Sequence, residues 1–302
     1  MKILITGANG LLGQKLVKLC LQKSINFVAT SSGVNRNPDC PNENYHSLDI
    51  TEIQRVQLLI NAIMPSAIIH TAAMTNVDEC EEQPLACHGV NVVGTSYLLA
   101  AAQKINAHFQ LLSTDFVFDG EKGNYREDDI VAPLSVYAKS KVDAERLVQL
   151  SKYTNWSIVR TIIVYGTGHK LSRSNIVLWA KDALAKGKPL NIVNDQFRAP
   201  TWADDLAIGC FTIIEQKHFG IFHISGPVTY SILELVKRIA EYYGLSTENI
   251  SPVSSSILNQ GAKRPLKTGF DLSKARALLN YHPLTIEESL ALLDKEIYLL
   301  EQ

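Results

Sequence analysis

The sequence predicts an α/β fold, a doubly wound parallel sheet joined to a smaller C-terminal region, and three observations carry that expectation. Residues 3–6, 67–70 and 109–112 are short, nearly continuous apolar runs, the pattern of parallel strands covered on both faces. Helix-length segments alternate with them, the order of strand–helix–strand units with right-handed crossovers. A glycine-rich turn sits where the first strand hands over to the first helix.

Taken in order, strands are expected at 3–6, 26–30, 67–70, 109–112 and 156–160, and helices at 11–22, 53–63, 84–104 and 136–150. In such a sheet, ligands bind beyond the carboxyl ends of the strands. The second half is less regular. Helices are expected at 175–186, ending at Gly187, at 202–215, and at 232–243, stopped by Gly244; a short strand is expected at 220–224. A stretch rich in Ser, Pro and Asn, 246–267, reads as loop, and short helices at 272–279 and 286–300 finish the chain. The change in character near residue 170 divides the chain into a dinucleotide-binding domain, 1–169, and a mainly substrate-binding region, 170–302, with 199–226 expected to return to the sheet.

The chain has 302 residues, 46% hydrophobic and 20% charged, with a formal net charge of −1. That length buries a sizeable core, and the charge balance supplies no global field for nucleic acid or an anionic membrane. No apolar run is read as reaching the roughly 18 residues that span a bilayer. Met1 leads straight into the first strand and is soon followed by Gly7, which does not read as a secretory leader. Five scattered cysteines (Cys20, Cys40, Cys80, Cys87, Cys210) form no metal-type pair. They fit free thiols in a reducing cytosol, so a cytoplasmic location and no metal are expected.

Gly7-Ala8-Asn9-Gly10-Leu11-Leu12-Gly13 follows the first strand and opens the first helix. Glycine lets such a turn adopt positive φ and lets the backbone approach a pyrophosphate. The helix N-terminus adds free N–H groups and about half a positive charge. The G-x-x-G-x-x-G spacing marks the short-chain dehydrogenase variant of a dinucleotide site. NAD-selective sites place a carboxylate at the end of the second strand; this chain reads Thr30-Ser31-Ser32-Gly33 there. Ser31 and Ser32, helped by Arg36, suit a 2′-phosphate, so NADP(H) is favoured and NAD(H) is the alternative.

Tyr137 and Lys141 stand four apart on an expected helix and therefore share a face. A phenol titrates near pH 10 when unperturbed, and a neighbouring ammonium favours its phenolate. The pair is thus expected to lower the Tyr137 pKa and to serve as proton-transfer machinery. Lys141 can also donate to the nicotinamide ribose. Ser113-Thr114-Asp115 ends an expected parallel strand, at the ligand crevice; Thr114 is the candidate third member, bonding the substrate oxygen, with Ser113 a substitute. Arg160 is expected to be structural and paired with a carboxylate. His169, His223 and His282 have no metal spacing and are read as structural, and residues 127–129 as a solvated acidic loop.

Together these residues resemble the extended short-chain dehydrogenase/reductases, with their Rossmann fold, and within them the dTDP-4-dehydrorhamnose reductase group. The matching pieces are residues 7–13, 71–73 (TAA), Val90-Asn91, 113–120 (STDFVFDG), 137–141, 160–166 (RTIIVYG), 195–201 (DQFRAPT) and Arg264-Pro265. The resemblance implies that Asp49 and Ile50 flank the adenine, that Ala72 and Ala73 line the cofactor trough, and that Thr114, Tyr137 and Lys141 carry catalysis. It implies hydride delivery to the C4 carbonyl of a nucleotide-linked 4-keto-6-deoxy sugar, with Tyr137 protonating the developing alkoxide. Thr114, Asp115, Gln196, Arg198 and Arg264 are the substrate-side candidates, the arginines for a diphosphate. A homodimer through helices 84–104 and 136–150 is implied as well.

The chain departs from the group's pattern in places. Gln14 and Lys15 follow Gly13 where group members can carry a magnesium-binding acid, Arg198 replaces a usual glycine, and Val164 stands where many carry an indole. Two other readings stay open. One is a sugar-nucleotide epimerase or 4,6-dehydratase, although Phe116 occupies the place where dehydratases carry a basic Glu. The other is a regulatory role, because residues 124–129 and the segment around Phe197-Arg198 also resemble the beta subunit of methionine adenosyltransferase.

Overall fold

The computed structural model describes residues 1–258 and 261–301. Its first half runs β1 (Lys2–Thr6), α1 (Leu11–Gln22), β2 (Asn26–Ser31), β3 (Tyr45–Ser47), α2 (Ile53–Ile63), β4 (Ala67–His70), α3 (Val77–Glu82), α4 (Pro84–His88), α5 (Thr95–Ile105), β5 (His108–Thr114), α6 (Val136–Leu150) and β6 (Trp156–Thr161). The second half continues with β7 (Val164–Tyr165), α7 (Ile176–Ala185), β8 (Leu190–Val193), β9 (Phe197–Arg198), β10 (Thr201–Trp202), α8 (Ala203–Glu215), β11 (Gly220–His223), β12 (Tyr230–Ser231) and α9 (Ile232–Tyr242). It closes with β13 (Ile250–Val253), β14 (Lys267–Thr268), α10 (Ser273–Leu279) and α11 (Ile286–Glu301).

Seven parallel strands form the main sheet in the order β11-β6-β5-β4-β1-β2-β3. The chain winds outward from β1 in both directions, so the strand order reverses between β1 and β4. A crevice opens at that switch point, beyond the carboxyl ends of the strands. Alternation along β1 explains why its central residues, Ile3, Leu4 and Ile5, are all apolar. Ile3 and Ile5 pack with Leu16, Val17, Leu206 and Phe211 on one face, whereas Leu4 packs with Val56, Ile60, Ile68 and Leu98 on the other. Each such aliphatic side chain contributes roughly 1.5–3 kcal/mol when fully buried.

The smaller region has its own core, in which Val177 and Ala180 of α7, Leu235, Val236 and Ile239 of α9, and Leu290 and Leu293 of α11 meet Leu190 and Ile192 of β8. Helix α9 starts on a reciprocal capping box between Ser231 and Glu234. A charge cluster ties this region to the first helix: the buried Lys15 ammonium sits 2.9 Å from Asp204 and 2.6 Å from Glu296.

Four sequence expectations change. The stretch 246–267 is not all loop: β13 pairs in parallel with β8, and Pro252 is tolerated because this two-stranded pair has only edges. Residues 259 and 260 of that stretch lie outside the described residues. The expected helix 84–104 is three pieces, with a π-helical turn, Gly89–Gly94, between α4 and α5. The span Pro84–Ile105 is also long and apolar enough to cross a membrane by length and composition. Between Pro84 and Gln103 it carries no Asp, Glu, Lys or Arg. Here half of it is buried, and it packs against α2 and α6. Within the acidic run 127–129, Glu127 is not solvated: it is half-buried and accepts from the His223 backbone N–H.

Candidate active site

A cavity of about 730 Å³ occupies the switch-point crevice. Its lining unites Gly7, Gly10, Leu11, Leu12 and Gly13 with Ser31, Ser32, Asp49, Ile50, Ala72, Ala73, Thr114, Asp115, Tyr137 and Lys141. These residues come from five strand ends and two helices, and the topology alone brings them together. Gln196, Arg198 and Arg264 are not among the lining residues.

The glycine turn is built for close approach. Gly7 has φ +72°, and a Cβ there would meet Thr71 Oγ1 at 2.6 Å and Ala72 N at 2.7 Å. A Cβ on Gly13 would stand 2.3 Å from the Gly7 carbonyl oxygen. Neither position has room for a side chain, so the turn packs directly on the end of β4 and on the start of α1, whose cap residue Gly10 offers no side chain to cover the helix N-terminus. This is the cradle a dinucleotide pyrophosphate requires, so the residues fit that cofactor. Asn9 organises the adjoining loop: its amide nitrogen donates to Val34 O and Tyr45 Oη, and its Oδ1 accepts from Arg36 N. The Arg36 side chain lines the cavity beside Ser31 and Ser32, and its guanidinium makes no hydrogen bond or ion pair among the described residues.

Gln14 holds a second loop over the turn. Its Nε2 donates to Asn9 O at 3.1 Å and His169 O at 2.8 Å, and its Oε1 accepts from His169 N at 2.8 Å. Beneath the cavity, His70 is sealed between the hydroxyls of Thr6, 2.8 Å, and Thr95, 3.0 Å. Burial, with the Lys141 charge adding, lowers its pKa to about 3, so it is neutral and structural.

Helix α6 begins at Ser135, whose hydroxyl accepts from Ala138 N. Tyr137, Lys141 and Glu145 then fall on one buried face, i, i+4 and i+8. The Tyr137 ring packs edge-on against Phe116, with centroids 6.2 Å apart, among Cys80, Cys87 and Met74. Lys141 Nζ donates to Leu112 O at 2.6 Å.

The expected lowering of the Tyr137 pKa by Lys141 does not occur. Burial dominates and pushes the phenol well above its ordinary value, Asp115 adding to the rise, while Thr114 and Arg173 act in the opposite sense. Lys141 is itself pushed down to about 8 by burial, with Glu145 opposing. Desolvation outweighs the ammonium's influence because both groups are enclosed.

Asn91, in the π-helical turn, clasps the main chain of Met74 in both directions, at 2.8 and 2.9 Å, and donates to Ser140 Oγ at 2.9 Å. It thereby joins the loop after β4 to α6. π-Helical turns recur at functional sites, and here one carboxamide links the segment that carries Ala72, Ala73 and Thr75 to the helix that carries Tyr137 and Lys141.

Of the substrate-side candidates, Asp115 lines the cavity and is almost fully buried. It accepts from Thr114 Oγ1 at 3.1 Å and from the Thr268 hydroxyl, and lies 3.7 Å from Arg198 Nε. Arg198 is 2% exposed and donates to the carbonyls of Phe197, Pro265 and Leu266. Arg264 donates to Asp78 at 2.6 Å and to Ala262 O. Gln196 is buried. Arg160 is paired with a carboxylate, Glu145, as expected. Sequence reasoning missed Arg173, which lines the cavity and donates to Thr75 Oγ1; the only local signal was a basic residue two positions ahead of the Asn175 cap of α7.

With this geometry in hand, similarity to known proteins is informative. The family model described as "RmlD substrate binding domain" matches residues 1–298. A solved dTDP-4-dehydrorhamnose reductase of Clostridium acetobutylicum superposes with a TM-score of 0.85 at 32% identity, covering 100% of both chains. A dTDP-4-dehydrorhamnose reductase of Bacillus anthracis, solved in complex with NADP, gives 0.82 at 28% identity, covering 98% of this chain and 99% of that one. The methionine adenosyltransferase 2 subunit beta of Pongo abelii is 31% identical over 282 residues, 92% of this chain and 82% of the relative. Fold, cavity and a match over nearly the whole length agree, and the chain belongs to the RmlD substrate binding domain family, an NAD(P)-dependent oxidoreductase fold of the extended short-chain type.

Proposed function

We propose that this protein is an NAD(P)H-dependent reductase of the C4 carbonyl in a nucleotide-linked 4-keto-6-deoxy sugar, with Tyr137 as proton donor. The observation that carries the reading is the meeting of Thr114, Tyr137 and Lys141 with the glycine turn in one cavity. Gly7, Gly10 and Gly13 would hold the dinucleotide pyrophosphate, Asp49 and Ile50 the adenine, and Ala72 and Ala73 the trough between. When bound, the reduced nicotinamide supplies the hydride.

The protein's own groups manage the proton. A phenol held above its ordinary pKa keeps its proton at neutral pH, which is the form that reduction needs. Tyr137 gives that proton to the carbonyl oxygen as it becomes an alkoxide, a far stronger base than phenolate. Thr114 donates a hydrogen bond to the same oxygen. Lys141, fixed on Leu112 O, supplies positive charge beside the phenolate that forms. Ser31, Ser32 and Arg36 favour NADP(H) over NAD(H), since they offer hydroxyls and a cation where an NAD site has a carboxylate. Phe116 beside Thr114 and Asp115 disfavours dehydration, because an apolar ring moves no proton.

The second reading, a regulatory subunit, is favoured by the 31% identity to the methionine adenosyltransferase 2 subunit beta. One experiment separates the two. Purified protein is mixed with NADPH or NADH and a panel of dTDP-, UDP- and GDP-linked 4-keto sugars. Nicotinamide oxidation is expected with at least one, and Tyr137→Phe is expected to abolish it while cofactor affinity stays within a few-fold. Silence across the panel, together with tight binding to a methionine adenosyltransferase catalytic subunit, would favour regulation.

A further inference from the structure

We infer that Arg173 is the residue that receives the substrate's diphosphate, which deepens, and rests on, the sugar-nucleotide reading above. A sugar nucleotide brings a second pyrophosphate into a cavity whose first is already provided for by the glycine turn. That second anion needs a cation of its own, in the same space and free to turn toward it.

The cations near the cavity can be taken in turn. Lys141 is enclosed and committed to Leu112 O. Arg198 is 2% exposed, with three main-chain carbonyls and Asp115 around its guanidinium. Arg264 is held by Asp78 and Ala262 O and does not line the cavity. Arg36 does line it, at the Ser31–Ser32 end, where the adenosine half of a dinucleotide belongs.

Arg173 remains. It is exposed, lines the cavity, and makes no ion pair among the described residues; its hydrogen-bond partner there is the neutral hydroxyl of Thr75, which also lines the cavity. Trading that hydroxyl for a phosphate replaces a neutral acceptor with a charged one, and the exchange is favourable. Its position along the cavity also fits. Its partner Thr75 directly follows Met74, whose side chain packs with Tyr137, so Arg173 sits at the reacting end. In a sugar nucleotide the diphosphate is separated from C4 by one pyranose ring, so its cation must stand near, but not on, the proton donor. Ser172 and Ser174 flank Arg173 and line the cavity as well; Ser172 offers a hydroxyl to the remaining phosphate oxygens, and Ser174 would exchange its 3.3 Å bond to Asn175 O to do the same.

The test uses the NADP⁺-loaded protein, titrated calorimetrically with thymidine 5′-diphosphate and uridine 5′-diphosphate. Arg173→Met keeps the aliphatic stem and is expected to weaken both roughly tenfold to a hundredfold, the range for a lost charged hydrogen-bonding partner. NADP⁺ affinity and melting temperature are expected to stay unchanged. Arg173→Lys is expected to recover part of the loss, and the salt dependence of diphosphate binding should flatten in Arg173→Met. Equal diphosphate binding by wild type and Arg173→Met would overturn the inference while leaving the reductase reading standing. A loss of NADP⁺ affinity in step with the diphosphates would also overturn it, since Arg173 would then serve the cofactor or the loop. If the wild type binds NADP⁺ but neither diphosphate, the sugar-nucleotide reading fails and takes this inference with it.

Discussion

The Arg160 guanidinium closes on both oxygens of the Glu145 carboxylate, Nε to Oε1 at 2.9 Å and Nη2 to Oε2 at 2.7 Å, with both residues 2% exposed. Ser113 Oγ donates to the same Oε1 at 2.5 Å. The pair therefore bolts α6, two turns beyond Tyr137, to the ends of β5 and β6 where Ser113 and Thr114 lie. Removing one partner strands the other's charge in the interior. Arg160→Met is expected to cost about 3–5 kcal/mol in urea unfolding and to impair turnover through misplacement of α6. A loss below about 1 kcal/mol would show that the carboxylate finds another partner.

Lys141 gives the site a pH signature. Its folded pKa is lowered to about 8, below the 10.5 of the free side chain. Between those values the unfolded chain binds more protons than the folded one, so stability rises with pH across that window. Below pH 8 the folded state carries the full penalty of a buried ammonium, of order 3 kcal/mol for a shift of this size. Lys141→Met is expected to lose this rise, measured as the pH dependence of unfolding free energy between pH 8 and 10. Activity should move the other way. In the wild type kcat/KM is expected to fall above pH 8 as the ammonium is lost, since that ratio reports groups of the free enzyme. A flat profile to pH 9.5 would contradict the depressed value.

These features differ in how far they could be read from sequence. The glycine turn, the Tyr137–Lys141 spacing and the β1, β4 and β5 strands are local patterns, and period and backbone chemistry declare them. Arg198 and Arg264 are read from the sequence as diphosphate candidates on arginine's bidentate chemistry and on the resemblance, neither of which shows what surrounds them in the fold. Their partners are distant in sequence: Asp115, the carbonyls of Pro265 and Leu266, and Asp78 are brought to them by tertiary folding. The direction of the Tyr137 shift failed for a related reason, because helical spacing reports proximity and not desolvation. Two-residue strands such as β9 and β14 carry too few positions to show alternation.

Cofactor choice should depend on Arg36. It lines the cavity beside Ser31 and Ser32, and Asn9 fixes its backbone but not its guanidinium. Arg36→Met is expected to weaken NADPH binding at least about tenfold, the scale of one charged hydrogen-bond partner, and to leave NADH affinity nearly unchanged. Competitive fluorescence titration of both nucleotides measures this. At least tenfold tighter NADH binding by the wild type would reverse the assigned preference.

Asp115 and Arg198 form the last test, because they support the cavity from behind. Burial raises the Asp115 pKa, against which Arg198, Thr268 and Thr114 favour the carboxylate. Arg198 in turn is lowered by burial and raised by Asp115. Each charge is tolerable only because of the other, so their removal should be strongly non-additive. Arg198→Met alone is expected to destabilise by roughly 3 kcal/mol or more, since it leaves Asp115 buried without its cation and removes the guanidinium donors from the carbonyls of Phe197, Pro265 and Leu266. Adding Asp115→Asn should recover at least about 1 kcal/mol of that loss, a coupling within the range for contacting residues. Denaturant titration of the two single variants and the double variant supplies the cycle. If the effects simply add, the 3.7 Å approach of the two groups carries no net coupling, and the support of the cavity's rear wall must be sought in the Arg198 contacts to the main chain.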